Sequence, residues 1–205
     1  MLPARLPLAF AFSLTALPAL AHHPMGGTTP TTFMQGLLSG LGHPILGFDH
    51  LAALIAVGLV ASRFARGALL LPVLWIVGMG LGAFAHMGSV DLPAGELLVA
   101  GSLVVIALIG VLRPTLPLPV LGALFAAAGF AHGHALAESI IGADTAVVGA
   151  YLIGLVAIQS AITVGTILLV RRLFAETGAP ALRAAAAALA VVGVVFLVSA
   201  LPAAA

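Results

Sequence analysis

His43-Pro44-Ile45-Leu46-Gly47-Phe48-Asp49-His50 opens an apolar run that continues from Leu51 to Val60. Two imidazoles and a carboxylate therefore stand at or just inside one end of a candidate membrane span. An ionisable group at membrane depth costs about 2.5–3.5 kcal/mol on insertion scales, so such groups mark a functional site by default. Pro44 suits the first turn of a helix, where no backbone donor is needed. His43 and His50 are seven residues apart and share a helix face, yet at 1.5 Å rise per residue they lie roughly 10 Å apart along the axis. In a regular helix one small ion cannot touch both. Asp49 and His50 are then expected to share an ion with a second helix, while His43 serves a step further out. The plainer alternative is a helix-end ion pair between Asp49 and a protonated histidine.

Only 6% of the 205 residues are charged and 62% are hydrophobic, against about 25% charged in soluble domains. The mean hydropathy is +1.28. The expected fold is an all-α integral membrane bundle, one domain at this length. There is no lysine, and seven arginines supply the basic charge, so no basic patch is available to grip nucleic acid. No cysteine is present, which excludes disulfides, thiolate metal sites and a cysteine nucleophile.

Residues 1–21 look like a signal peptide: Arg5, an apolar region from Leu6 to Leu17, and the small-residue sequence Ala19-Leu20-Ala21. Cleavage there would expose His22-His23-Pro24-Met25 as a new N-terminus on a lead running to residue 32. An α-amine beside two imidazoles chelates divalent metals, because all three donate nitrogen; the plain alternative is a flexible polar tail. Phe33 to Gly42 is too short to cross and is expected as a re-entrant or surface segment packed through Gly36 and Gly40. Six spans follow within the transmembrane domain 33–205, each near the roughly 20 residues a bilayer needs: Pro44–Ser62, Gly67–His86, Pro93–Leu112, Leu116–Leu136, Thr145–Val170 and Ala181–Leu201. Gly78 and Gly82, like Gly129 and Gly133, have the spacing that lets helices approach closely.

Arg63, Arg66, Arg113, Arg171, Arg172 and Arg183 all fall in alternate loops, which the positive-inside rule makes cytoplasmic. Both mature termini are then extracytoplasmic in the cell inner membrane. Every mature histidine, and every acid except Glu176, falls on the extracytoplasmic side or in the outer half of the membrane. His43, Asp49 and His50 lie there, as do His86 and Glu96, which sit at the ends of spans two and three.

The second constellation is His132-Gly133-His134 with Glu138. His134 and Glu138 are four apart and share a helix face, provided the helix reaches Glu138. Imidazole plus carboxylate without sulfur suits nickel, cobalt, zinc, manganese or iron(II) rather than copper(I). Gln159, Ser160, Thr163 and Thr166 form a deeper polar stripe in span five. They either pass a partly hydrated ion or simply bond to their own helix carbonyls.

His43-Pro-x-x-Gly47-x-Asp49-His50 resembles the signature of the HupE/UreJ family of membrane proteins, and His132-Gly133-x-Ala135-x-x-Glu138-Ser139 resembles its second motif. Leu92-Pro93-x-x-Glu96 and Ala150-Tyr151-Leu152-x-Gly154 are similarly spaced. The second motif departs at Ala137, where glycine is usual, and at Ala131, where an aromatic usually precedes the histidine. The resemblance implies uptake of nickel or cobalt as a transported ion, with no permanently bound cofactor. It implies metal-site roles for His43, Asp49, His50, His132 and Glu138. His134 joins them from the spacing above, and His22, His23, His86 and Glu96 are accessory candidates.

Three other classes compete with a permease. Asp49-His50 with Ser139 could be imagined as a hydrolase set, but no Gly-x-Ser-x-Gly or His-Glu-x-x-His is present. Paired histidines could hold haem iron. A metal-binding protein that does not transport is the last. No ATP-binding motif accompanies any of them.

Overall fold

A computed structural model describes residues 28–65, 67–173 and 178–201, so residues 1–21, His22 and His23 lie outside the described residues. The described residues form seven α-helices: α1 Phe33–Leu46, α2 Phe48–Ala61, α3 Leu70–Met87, α4 Gly95–Leu112, α5 Leu118–Ala137, α6 Thr145–Leu173 and α7 Gly178–Ser199, with a 3-10 turn Glu138–Ile140 after α5. Among the described residues there is no strand. Helices α3 to α7 are each long and apolar enough to cross a membrane.

The first span differs from expectation. Helix α1 starts at Phe33 because Thr32 and Gln35 form a reciprocal capping box: the Gln35 N–H donates to Thr32 Oγ1 at 3.2 Å and the Thr32 N–H to Gln35 Oε1 at 3.3 Å. Pro44 is therefore not the start of a helix. It lies in the last turn of α1, where it withholds one backbone hydrogen bond and hastens the end of the helix. The chain breaks at Gly47 and resumes as α2, the two helices bent by 77°. At 14 residues each, neither crosses a core about 30 Å thick, since each is about 21 Å long.

Contacts along α6 show how the pair shares one crossing. Gly36 of α1 packs on Val147 in the first turn of α6, and Gly40 packs on the Tyr151 carbonyl one turn on. Gly58 of α2 packs on Thr163 and Thr166, and Arg171 near the end of α6 donates to the Phe64 carbonyl at 2.6 Å. The level of contact thus moves steadily down α6, so α1 and α2 together traverse its thickness as one broken span. The expected re-entrant segment from Phe33 to Gly42 is the first half of that span, packed through the two expected glycines.

The same registers orient the other helices. Trp75 and Met79 of α3 meet Gly129 and Gly133 of α5, while Gly78 and Gly82 meet Ala126 and Phe130. Both sets of numbers rise together, so α3 and α5 are parallel. Gly110 of α4 meets Ala186 of α7, and Gly193 meets Leu103 and Val104, so these two are antiparallel. Arg63, Arg113 and Arg171 gather at one end. Burial and then the Arg113 charge push the Arg63 guanidinium below its ordinary range, while it donates to the Ile109 carbonyl at 3.1 Å. Above them lies an apolar core that includes Leu71, Trp75, Leu103, Ile106 and Phe125.

Candidate metal centre

The site forms where α1 and α2 part. The bend brings the rings of His43, in the last turn of α1, and His50, in the first turn of α2, to a centroid separation of 6.0 Å at 85°. The regular-helix separation expected from the sequence does not apply. Two imidazoles bound to one ion at about 2.0–2.1 Å place their ring centroids roughly 5–6 Å apart, so this separation suits a shared ion. A Cβ at position 47 would come 2.8 Å from His50 Cδ2 and 3.3 Å from Asp49 Oδ1. Glycine is what lets both side chains fold back over the break. The His50 N–H donates to Asp49 Oδ1 at 2.8 Å, which satisfies one donor of the opening turn of α2 and places negative charge at its positive end.

His132 of α5 closes the other side. Its Nδ1 is 2.8 Å from His50 Nδ1, and its Nε2 is 3.0 Å from Ser102 Oγ on α4. Ser102 spends its proton on the Val99 carbonyl at 2.8 Å, so Ser102 Oγ accepts from His132 Nε2–H. The His132 lone pair is then on Nδ1 and accepts from His50 Nδ1–H, which leaves the His50 lone pair on Nε2. The same logic fixes His43. Tyr151 donates its hydroxyl proton to the Leu136 carbonyl at 2.6 Å and accepts from His43 Nδ1–H at 2.8 Å, so the His43 lone pair is also on Nε2. His43 and His50 thus hold the tautomers metal ligation needs, each oriented by a partner behind it. His43, Asp49, His50 and His132 are all at most 6% exposed.

Sequence reasoning missed the partners Ser102, Tyr151 and Trp75. Tyr151 is the only tyrosine in the chain and Trp75 the only tryptophan, and a phenol or indole buried in a membrane bundle needs a polar partner. Trp75 packs on the His132 ring at 4.7 Å and donates to Gln159 Oε1 at 2.9 Å. Tyr151→Phe should weaken metal uptake about tenfold in half-saturating concentration, as second-shell changes do, and should add little to His43→Ala. Equal damage on both backgrounds, measured by uptake titration, would show that Tyr151 does not act through His43.

Other candidates fall elsewhere. The α5 helix runs unbroken through Gly133, so His134 faces away from His132 and meets His86 of α3, Nδ1 to Nδ1 at 3.0 Å. Helix α5 ends at Ala137, and Glu138 begins the 3-10 turn with its side chain exposed. Glu96 is exposed in the first turn of α4. Thr163 and Thr166 donate to the carbonyls of Gln159 and Ile162 at 2.7 and 2.8 Å, so these two hydroxyls bond to their own helix. Ser139 lies 3.2 Å from His43 Nδ1 but turns its hydroxyl toward the Leu136 carbonyl and Tyr151, which is no nucleophile–base arrangement. At 2.8 Å, the gap between His50 and His132 leaves no room for an iron and its porphyrin. Among the described residues no three His, Asp or Glu side chains already converge on one ion-sized point.

The family described as HupE / UreJ protein matches residues 10–196. The chain belongs to the HupE/UreJ family. It is 28% identical over 184 residues to Protein HupE of Rhizobium leguminosarum bv. viciae, a match covering 89% of this chain and 93% of that one. No solved structure matches. As a HupE/UreJ protein with five long apolar helices and a broken sixth span, it is a multi-pass membrane protein and not an enzyme.

Proposed function

We propose that this HupE/UreJ protein is a permease for a divalent transition-metal ion, nickel or cobalt, with His43 Nε2, His50 Nε2 and the Asp49 carboxylate as its entry ligands. The observation that carries this reading is the helix break at Gly47, which folds two imidazoles of matched tautomer and a carboxylate together at membrane depth. Broken helices at the midplane are a recurring way for transporters to build ion sites. His132 stands behind His50 and sets its tautomer. Trp75, Phe125, Leu71, Leu103 and Ile106 lie between the site and the arginine end, so loading occurs from the opposite end. By the positive-inside rule that end is extracytoplasmic, which supports import across the inner membrane. His22 and His23 would raise local ion concentration without being obligatory.

Two measurements test this. Uptake into proteoliposomes across a panel of divalent ions should favour nickel or cobalt, and no saturable uptake of any ion would sink the permease reading. Reporters fused after Arg113 and Arg172 should read cytoplasmic, and one fused at the C-terminus external. A cytoplasmic C-terminus would reverse the direction of loading.

A further inference from the structure

We propose a second divalent-metal site, formed by His86 and His134 on the face of α5 turned away from the entry ligands. The two histidines of His132-Gly133-His134 are two residues apart, so they project to opposite sides of α5 while differing by only about 3 Å in depth. His132 meets His50 and Ser102. His134 meets His86 across the α3–α5 contact, ring centroids 4.1 Å apart at 86°. Between them, Gly133 packs directly on the Met79 carbonyl. The two helix backbones touch there, so no ion passes from one pair to the other through this contact. The second pair is a site in its own right and rests on nothing in the transport reading.

Local structure builds it. Helix α3 ends in a Schellman turn: Ser89 is left-handed at φ 63°, its N–H donates to the His86 carbonyl, and the Val90 N–H donates to the Ala85 carbonyl. That turn lays the Val90 carbonyl 2.8 Å from His134 Nε2. A carbonyl only accepts, so His134 carries its proton on Nε2 and its lone pair on Nδ1. This is the carbonyl–histidine arrangement that orients a metal ligand. His86 Nδ1 lies over the face of the His134 ring, 3.0 Å from Nδ1 and 3.1 Å from Nε2, so a turn of the half-buried His86 ring brings its nitrogen beside the His134 lone pair, where one ion would bond both at about 2.0–2.1 Å. His134 is buried, while His86 is half-buried and within reach of solvent. By moving its proton from Nδ1 to Nε2, His86 would offer a second lone pair to the ion, and water would complete the shell. Imidazole donors select nickel, cobalt, zinc or copper(II) over magnesium or calcium.

The test is the number of cobalt ions bound by purified full-length protein without a polyhistidine tag, on a background of His22→Ala and His23→Ala, read by calorimetry and visible absorption. Two ions per chain are expected. His86→Ala and His86→Gln should each leave one, and His43→Ala with His50→Ala should also leave one, held by the second pair. Combining His86→Ala with the latter two should leave none. The glutamine variant keeps a hydrogen-bonding side chain at position 86, and size-exclusion chromatography of each variant confirms folded protein. If both His86 variants bind as many ions as the parent, the second site does not exist. One ion in the parent and none in folded His86→Ala would uphold the second site while removing the entry site.

Discussion

Asp49→Asn and His50→Ala should each remove most metal uptake per folded molecule, and the double change should cost little more. A divalent ion leaving water needs replacement ligands. The break at Gly47 supplies an anionic oxygen beside two imidazoles whose lone pairs are already set by Tyr151 and His132. Asp49→Asn removes charge with shape retained, and His50→Ala removes both a ligand and the partner of His132. Second-shell changes at metal sites cost about 10–100-fold, and loss of a ligand should cost at least as much. Residues acting as one unit are non-additive, hence the small further loss in the double variant. Only neutral imidazole ligates, so acidifying the external medium should also reduce uptake. Membrane abundance and uptake must be measured on the same variants. Unchanged uptake per folded molecule in both single variants would mean that Asp49 and His50 are a structural pair only.

Gly133→Ala should destabilise the protein severely, at or above the upper end of the about 1–3 kcal/mol typical of overpacking. The added methyl would run into the Met79 backbone carbonyl. A carbonyl cannot rotate aside as a side chain can, so α3 and α5 would have to separate. Separation would pull Trp75 from His132 and His86 from His134, because each pair bridges the same two helices. Gly149→Ala and Gly165→Ala are the controls. Both lie in α6 with nothing within 4 Å of the added Cβ, and alanine is the better helix former by about 1 kcal/mol. They should be neutral or slightly stabilising. Thermal midpoints in detergent decide it, and a Gly133→Ala midpoint equal to that of Gly165→Ala would rule out the close approach.

Hydropathy and arginine placement were enough to read an all-helical membrane bundle from the sequence, because the cost of burying charge in lipid acts residue by residue. Clustering of the histidines away from the arginines was legible for the same reason. That these segments can approach a neighbouring helix closely was visible in the spacing of Gly78 with Gly82 and of Gly129 with Gly133, since a missing side chain is a local fact, but which helix each one meets was not. The Thr32–Gln35 capping box was also present to be read, and it places the start of α1 at Phe33. What the sequence left open was Pro44. A proline serves equally at the start of one helix or in the last turn of another, and here the choice follows from α1 beginning at Phe33 and being held there by the packing of Gly36 and Gly40 on α6. That choice moves the break to Gly47 and brings His43 and His50 together. The pairing of His132 with His50, and of His134 with His86, was likewise undetermined. Spacing along α5 shows that the two histidines diverge, but which helix each one meets depends on how α2, α3 and α4 pack around it. Ser102 and Tyr151 carry no signal along the chain for the histidines they orient, 30 and 108 residues away, because a hydrogen bond between distant segments exists only once the tertiary structure has brought them within 3 Å.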